Sequence, residues 1–429
     1  MEVIAMSLDR RDFLKLSAGA AGAALVTSGC SPRQDLESEA GDPISRLKPM
    51  TGDVVPITDA ERLQRIEKAR RLMTESGISA IYLEGGTGMF YFTGMRWGNS
   101  ERMFAVVLPA RGELAWICPA FEEDRARELI RFGDDIRTWE EHESPYERVA
   151  QVLSDRGIRS GRVGIEERVR FFLYDGIRKA APHLEYVSAD PVTIECRVIK
   201  SSAELALMQK AADITIEAYK ASVAMLEAGM TRNDFRAISG RAHAALGVSG
   251  GIGAQIAEAS ASPHGSVKHI ELKEGDIVLM DGGCGVDGYR ADISRTVVFG
   301  EPTNRQREMW NLMKEAQSAA FAAAGVGVPC EDVDAAARQV YIDYGFGPGY
   351  KVPGLPHRTG HGIGLDGHEW INLVKGNTRP MEPGMCFSNE PMVVLPGEFG
   401  IRLEDCIYIT QDGPRYFSQP SPSIDQPFA

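Results

Sequence analysis

The sequence has no uninterrupted apolar run of the roughly 18–20 residues that a membrane-spanning helix needs; its best stretch, Leu16 to Gly29, is short and built largely of Ala and Gly. It has no surplus of positive charge either. Lys plus Arg number 47 against 60 Asp plus Glu, a formal net charge of −13, which argues against a protein held to nucleic acid by phosphate contacts. Seven cysteines are scattered at Cys30, Cys118, Cys196, Cys284, Cys330, Cys386 and Cys406 with no Cys-x-x-Cys pair. That spacing excludes zinc-finger arrangements and reads as small core residues. His-Glu-x-x-His is absent, so a helical zinc-peptidase site has no support. What is present is ordinary for a soluble globular chain: 429 residues, 43% hydrophobic and 25% charged. That length favours two domains and leaves room for an enzyme core.

The first thirty residues stand apart. Arg10-Arg11-Asp12-Phe13-Leu14-Lys15 precedes the mild apolar run and resembles a twin-arginine translocation signal, which implies export to the periplasm. Val26-Thr27-Ser28-Gly29-Cys30 resembles a lipoprotein cleavage box with Thr27 where Leu is usual, which makes Cys30 a candidate for lipidation and membrane anchoring. Residues 31–56, with Pro32, Pro43 and Pro49, read as a linker.

Residues 57–195 read as an α/β domain. Thr58-Asp59-Ala60-Glu61 caps a helix to Glu75 that Gly77 closes, Ile78 to Leu83 follows as a buried strand, and Phe104 to Leu108 with Leu114 to Ile117 forms a hairpin. This half carries no constellation of reactive residues; its expected work is to wall off a site or to supply an oligomer contact, and a homodimer is the expected assembly. Residues 196–429 read as α+β with a curved antiparallel sheet. Ser201-Ser202-Ala203-Glu204 opens a helix expected to reach Ala228, and Thr303-Asn304-Arg305-Gln306 opens a second one ending at Gly325.

The chemistry lies in this second half. Lys273-Glu274-Gly275 feeds a strand that ends in Asp281, and Glu382-Pro383-Gly384 feeds another that ends in Glu390; in both the acid follows the turn glycine by six residues. A return strand presents a second acid each time, Asp292 and Glu404. Alternation along a strand aims all four inward. Four close carboxylates raise one another's pKa steeply unless a counter-charge is present, and a pair of divalent cations is the economical one. His361 adds an imidazole. This oxygen-rich set favours Mn²⁺, with Co²⁺, Fe²⁺ or Zn²⁺ as alternatives.

Leu279-Met280-Asp281-Gly282-Gly283, Ala291-Asp292-Ile293-Ser294-Arg295-Thr296, Thr359-Gly360-His361-Gly362-Ile363-Gly364-Leu365, Ser388-Asn389-Glu390-Pro391 and Arg402-Leu403-Glu404-Asp405, in this order, resemble the pita-bread metallopeptidases. That group includes Xaa-Pro aminopeptidase, prolidase, methionine aminopeptidase and the non-metal creatinase. The resemblance implies a creatinase-like N-terminal domain before a pita-bread catalytic domain. It implies a dinuclear centre of Asp281, Asp292, His361, Glu390 and Glu404, with Asp292 and Glu404 bridging. His264 and His368 match the family's catalytic histidines, His357 lies near the substrate pocket, and Arg402 orients carboxylates or substrate. The implied reaction is cleavage of small peptides at X-Pro bonds by a hydroxide held between the ions, with Glu390 moving a proton to the leaving nitrogen.

The fold also hosts other chemistry. A creatinase-like amidinohydrolase would lack several ligand acids, a lyase of the group would alter the stretch after His361, and a silent binding protein would show degenerate ligands. None of these marks is present.

Overall fold

In the computed structural model, which describes residues 42–428, the first long helix forms where the sequence places its caps. Thr58 accepts a hydrogen bond from the Glu61 N–H at 3.2 Å, α1 runs Asp59–Ser76, and Gly77 ends it at φ 66°. The export signal and Cys30 lie outside the described residues.

β1 (Ile78–Glu84) follows, and β2 (Ala105–Pro109) with β3 (Ala115–Pro119) forms the expected hairpin, Ala105 opposite Ile117. β4 (Asp135–Trp139), β5 (Arg162–Ile165) and β6 (Glu185–Ser188) complete a six-stranded mixed sheet in the order β4-β3-β2-β1-β5-β6. The helices α2 (Thr87–Thr93), α3 (Glu123–Leu129), α4 (Pro145–Asp155), α5 (Phe171–Ala180) and α6 (Asp190–Arg197) surround it. Strand alternation sorts its two faces. Ala80, Tyr82, Val107 and Ile117 pack on Val149 and Val152 of α4 and Ile177 of α5. Ile81, Leu83, Val106 and Trp116 face Ile66 and Met73 of α1, in a cluster that continues to Ala211 and Tyr219 of the next helix. One core therefore runs from the first half into the second, and Asp42–Ala429 is a single compact unit.

Three expectations are corrected here. Residues 42–56 are no free linker: Ile44 is buried, the Met50 N–H donates to the Leu246 carbonyl at 3.0 Å, and Asp42 pairs with Arg241 at 2.8 Å. The apolar side chains of this stretch find a surface to cover. α6 crosses the position 195/196 at which the two halves were divided. α7 (Ser202–Val223) opens on the full capping box of Ser201 and Glu204 but stops five residues early, because Met225 and Leu226 bond to the carbonyls three residues back and tighten the chain into turns.

α8 (Arg232–Ala245) leads into β7 (Gly250–Ile256), β8 (Ile277–Val286), β9 (Tyr289–Arg290) and β10 (Ile293–Val298), a four-stranded sheet. α9 (Asn304–Ala323) and α10 (Cys330–Asp343) precede β11 (Gly360–Gly362), β12 (Glu369–Leu373), β13 (Cys386–Asn389), β14 (Met392–Leu395), β15 (Phe399–Arg402), β16 (Asp405–Thr410) and β17 (Gly413–Tyr416). The expected single curved sheet is thus divided. β12-β11-β13-β16-β17 is a five-stranded sheet, and β14-β15 is a separate ribbon. The two larger sheets meet at one bridge, where the Ser294 and Glu404 backbones exchange hydrogen bonds of 3.2 and 3.1 Å. Among the described residues all six cysteines are free and buried, and no helix is long and apolar enough to cross a membrane.

Candidate metal centre

The meeting point of the two sheets is where the acids converge. Asp281 lies within β8; Asp292 precedes β10; Glu390 follows β13; Glu404 sits between β15 and β16. The second acid pair is not the simple hairpin that the sequence pattern suggests. After Glu390 the chain leaves to build the ribbon β14-β15, and only then returns through Glu404 to β16, which pairs with β13 with Ser388 opposite Cys406.

His361 occupies an irregularity in β11 between Gly360 and Gly362. A Cβ at Gly360 would stand 2.0 Å from the Ser388 carbonyl oxygen, and one at Gly362 would stand 2.8 Å from that of Trp370. Only glycine lets β12 and β13 close on both sides of this histidine. The His361 N–H donates to Ser388 Oγ at 3.0 Å, and Nδ1 lies 3.0 Å from the Gly362 carbonyl oxygen. That contact places the ring proton on Nδ1 and leaves Nε2 as the free donor atom.

His361 Nε2 lies 3.1 Å from Glu390 Oε1 and 4.0 Å from Asp292 Oδ2. Three sets of possible ligand atoms each fall within 4.8 Å: His361 with Glu390 and Glu404, Asp281 with Asp292 and Glu404, and Asp292 with His361 and His368. Glu404 belongs to both of the first two sets. Asp292 is likewise shared, by the second and third sets, so these two carboxylates are the ones placed between neighbouring ligand sets.

The counter-charge supplied by the protein is one guanidinium. Arg402, only 5% exposed, sits 2.5 Å from Asp281 Oδ2, 3.8 Å from Glu390 Oε2 and 3.9 Å from Glu404 Oε2. Buried against these acids, it is no surface cation. One arginine does not balance four acids. Burial, then the neighbouring Asp281, pushes the Asp292 carboxyl up to about 7, and burial with Asp292 and Glu390 pushes Glu404 well above the carboxylate range. Burial would also raise Glu390, but the hydrogen bond from His361 and the charge of Arg402 hold it near 2. Glu404 Oε1 is buried with no hydrogen-bond partner. An orphaned carboxylate oxygen, an imidazole whose Nε2 faces Glu390 and Asp292, and carboxylates that resist ionising together are what a divalent cation pair satisfies, so the residues fit the metal.

The histidines separate into two groups. His368 stacks on His361 with ring centroids 3.8 Å apart, and Arg358 donates to its Nδ1 at 3.0 Å; burial and the nearby His361 lower its pKa. His357 donates from Nδ1 to the Arg358 carbonyl oxygen at 2.7 Å, while its buried Nε2 has no partner. His264 is exposed and joins none of the ligand sets, but it lines, with Asp281, a cavity of about 420 Å³.

Sequence reasoning did not single out several supports. Ser294 Oγ donates to Glu404 Oε2 at 2.7 Å, lies 3.1 Å from Asp281 Oδ1 and accepts from Arg402 Nε at 2.9 Å. Its signal was its place two residues after Asp292, on the same strand face. Ser388, two before Glu390, is 3.2 Å from that carboxylate. Asp334 of α10 holds Thr359 through its N–H at 3.0 Å and its Oγ1 at 2.7 Å; nothing in its helix marks it out.

Residues 206–411 match metallopeptidase family M24, and residues 65–199 match the creatinase/prolidase N-terminal domain. The chain is 30% identical over 362 residues to an Xaa-Pro dipeptidase of Lactobacillus helveticus, covering 82% of this chain and 96% of that one. Its fold is similar to that of a prolidase from Thermococcus sibiricus, with a TM-score of 0.78 at 27% identity over 85% of this chain and 98% of the other. The dipeptidase PepE from Mycobacterium ulcerans gives 0.78 at 28% identity over 85% and 97%.

Proposed function

The chain belongs to metallopeptidase family M24, and from that premise we propose that it is a dinuclear-metal hydrolase of peptides at X-Pro bonds, an Xaa-Pro dipeptidase or aminopeptidase. The observation that carries this reading is the shared position of Glu404 in two ligand sets. Asp281, Asp292, His361, Glu390 and Glu404 would hold the ions. When bound, these supply a nucleophile from water at neutral pH and polarise the scissile carbonyl.

The remaining work falls to the chain. Arg402 faces the Asp281, Glu390 and Glu404 carboxylates and orients them toward the ions they would hold. Because Arg358 donates to His368 Nδ1, that ring keeps its proton on Nε2, where it can donate to the oxygen that gains charge in the transition state. His264 on the cavity side is assigned the same task. Glu390, kept ionised beside His361, receives a proton and delivers it to the leaving nitrogen. That nitrogen is tertiary in an X-Pro bond and cannot depart unprotonated. His357 is assigned to substrate binding, its Nε2 being free to accept.

We take manganese as the native ion from the hard oxygen-rich donor set. Residues 10–15 and Cys30 support export by the twin-arginine route and lipid anchoring at the periplasmic membrane. A homodimer is the assembly proposed. The test of function is hydrolysis of Ala-Pro, Ala-Pro-Ala and Ala-Ala-Ala by the purified protein loaded with Mn²⁺, Co²⁺ or Zn²⁺. Proline-directed cleavage is expected; none with any ion would move the chain to a non-peptidase activity of the fold.

A further inference from the structure

The cavity beside the metal centre has a chemistry of its own. It measures about 420 Å³, and its lining joins Asp281 and His264 to Arg232, Arg236, Lys268 and His269. In a chain of net charge −13, three cationic side chains and two histidines around one cavity need an explanation. Lys268 pairs with Glu258 at 2.8 Å and His269 with Glu271 at 3.5 Å. The arginines have no such partner. Arg232 donates to the Ser266 carbonyl at 2.6 Å, which holds the loop that carries His264, and among the described residues neither Arg232 nor Arg236 pairs with a carboxylate. They stand four residues apart at the start of α8, on one face of its first turns, where the helix dipole adds to their positive potential.

We propose that this cavity receives the leaving side of the substrate and selects peptides that extend at least one residue beyond the proline and end in a free carboxylate, with Arg236 as the carboxylate's partner. The inference deepens the peptidase reading above and rests on it. A peptide has charges of opposite sign at its ends, and the four ligand acids leave the negative end only the basic lining to face. Size points the same way. A cavity of about 420 Å³ has room for more than a proline alone. The preferred substrate class is thus X-Pro-Y with a free C-terminus. An acidic Y would add a second anion for Arg232.

The test uses the metal-loaded full chain with Ala-Pro-Ala and Ala-Pro-Ala-amide, and calorimetry of the product Pro-Ala and its amide as a readout independent of turnover. A charge-assisted hydrogen bond predicts a KM for the acid about tenfold or more below that for the amide, and the same ordering of Kd for the products. In Arg236→Glu both ratios should fall to near one or invert, and Arg236→Lys should restore part of them. Equal KM and Kd for acid and amide in the unaltered protein, or ratios unmoved by Arg236→Glu, would overturn the proposal while leaving the peptidase reading intact. Cleavage of Ala-Pro but not Ala-Pro-Ala would do the same. Failure to cleave any X-Pro peptide would remove the peptidase reading, and the subsite with it.

Discussion

Two clusters of buried charge lie within this molecule, and they are built on opposite principles. Where the N-terminal half meets the catalytic half, Asp366 accepts from Thr87 Oγ1 at 2.8 Å, Arg168 at 3.0 Å and Arg197 at 2.6 Å, and Glu369 accepts from Arg197 at 2.5 Å and Lys200 at 3.0 Å. Two acids meet three bases there, and a third acid, the buried Glu166 beside Arg197, is pushed up to about 7 by burial. Burial would raise the Glu369 carboxyl, but Lys200 and Arg197 hold it near 2. At the metal centre four acids meet one arginine, Asp292 and Glu404 are driven up, and one carboxylate oxygen has no partner. In the first cluster Asp366 and Glu369 are satisfied by the protein's own cations. The second is complete only with cations, and that contrast, more than any single residue type, distinguishes a structural ion-pair network from a binding site.

The clusters are adjacent in sequence. Asp366 and Glu369 flank His368, so the ion-pair network fixes the loop that carries a catalytic candidate of the incomplete one. The N-terminal half is therefore more than a wall, since Arg168, Arg197 and Thr87 reach into that loop.

The comparison can be broken in four ways. The largest effect should come from Glu390→Gln or Glu404→Gln, which remove a ligand: activity should fall by at least about 10²–10³-fold with loss of bound metal, read by kcat and elemental analysis. An active, metal-replete Glu404→Gln protein would end the ligand assignment. Next, Arg197→Ala leaves Asp366 and Glu369 buried and short of charge and should cost about 3–5 kcal/mol of stability in denaturant unfolding, with metal content retained.

Third, the clusters should answer pH with opposite signs. In chelated protein the folded-state Asp292 carboxyl is raised, so its stabilising contribution is present in acid and is lost as pH rises from about 4 through about 7. Glu369 is lowered, so its contribution is present above about 4.5 and is lost as pH falls towards 2. Melting temperature against pH, compared with Asp292→Asn and Glu369→Gln, should show the first variant gaining at neutral pH and the second losing. Smallest is Ser294→Ala, which removes the hydroxyl between Glu404, Asp281 and Arg402 and should weaken metal affinity about 10–100-fold without loss of fold.

Much of the catalytic centre was legible because its residues sit at fixed offsets from strands and turns. Asp281 and Glu390 each follow a turn glycine, Gly275 and Gly384, by six residues, the first within its strand and the second just past it, and helix caps at Thr58, Ser201 and Thr303 are written in four residues each. What escaped depends on contacts between distant segments. No local pattern announces that the Ser294 bridge joins two sheets instead of one curving, that Asp334 reaches Thr359 from α10, or that Arg236 faces a cavity without a partner. The early end of α7 escaped for a different reason, since Ala224 to Leu226 have good helix propensity and tertiary packing decides against it.

The claim that the four-acid centre is completed by cations is tested most directly by equilibrium dialysis of chelated protein against Mn²⁺, counting ions bound per chain. The account predicts two ions for the unaltered chain and fewer than one for Glu404→Gln, because that carboxylate serves both sets. No binding by the unaltered chain, or two ions still bound after Glu404→Gln, would contradict it.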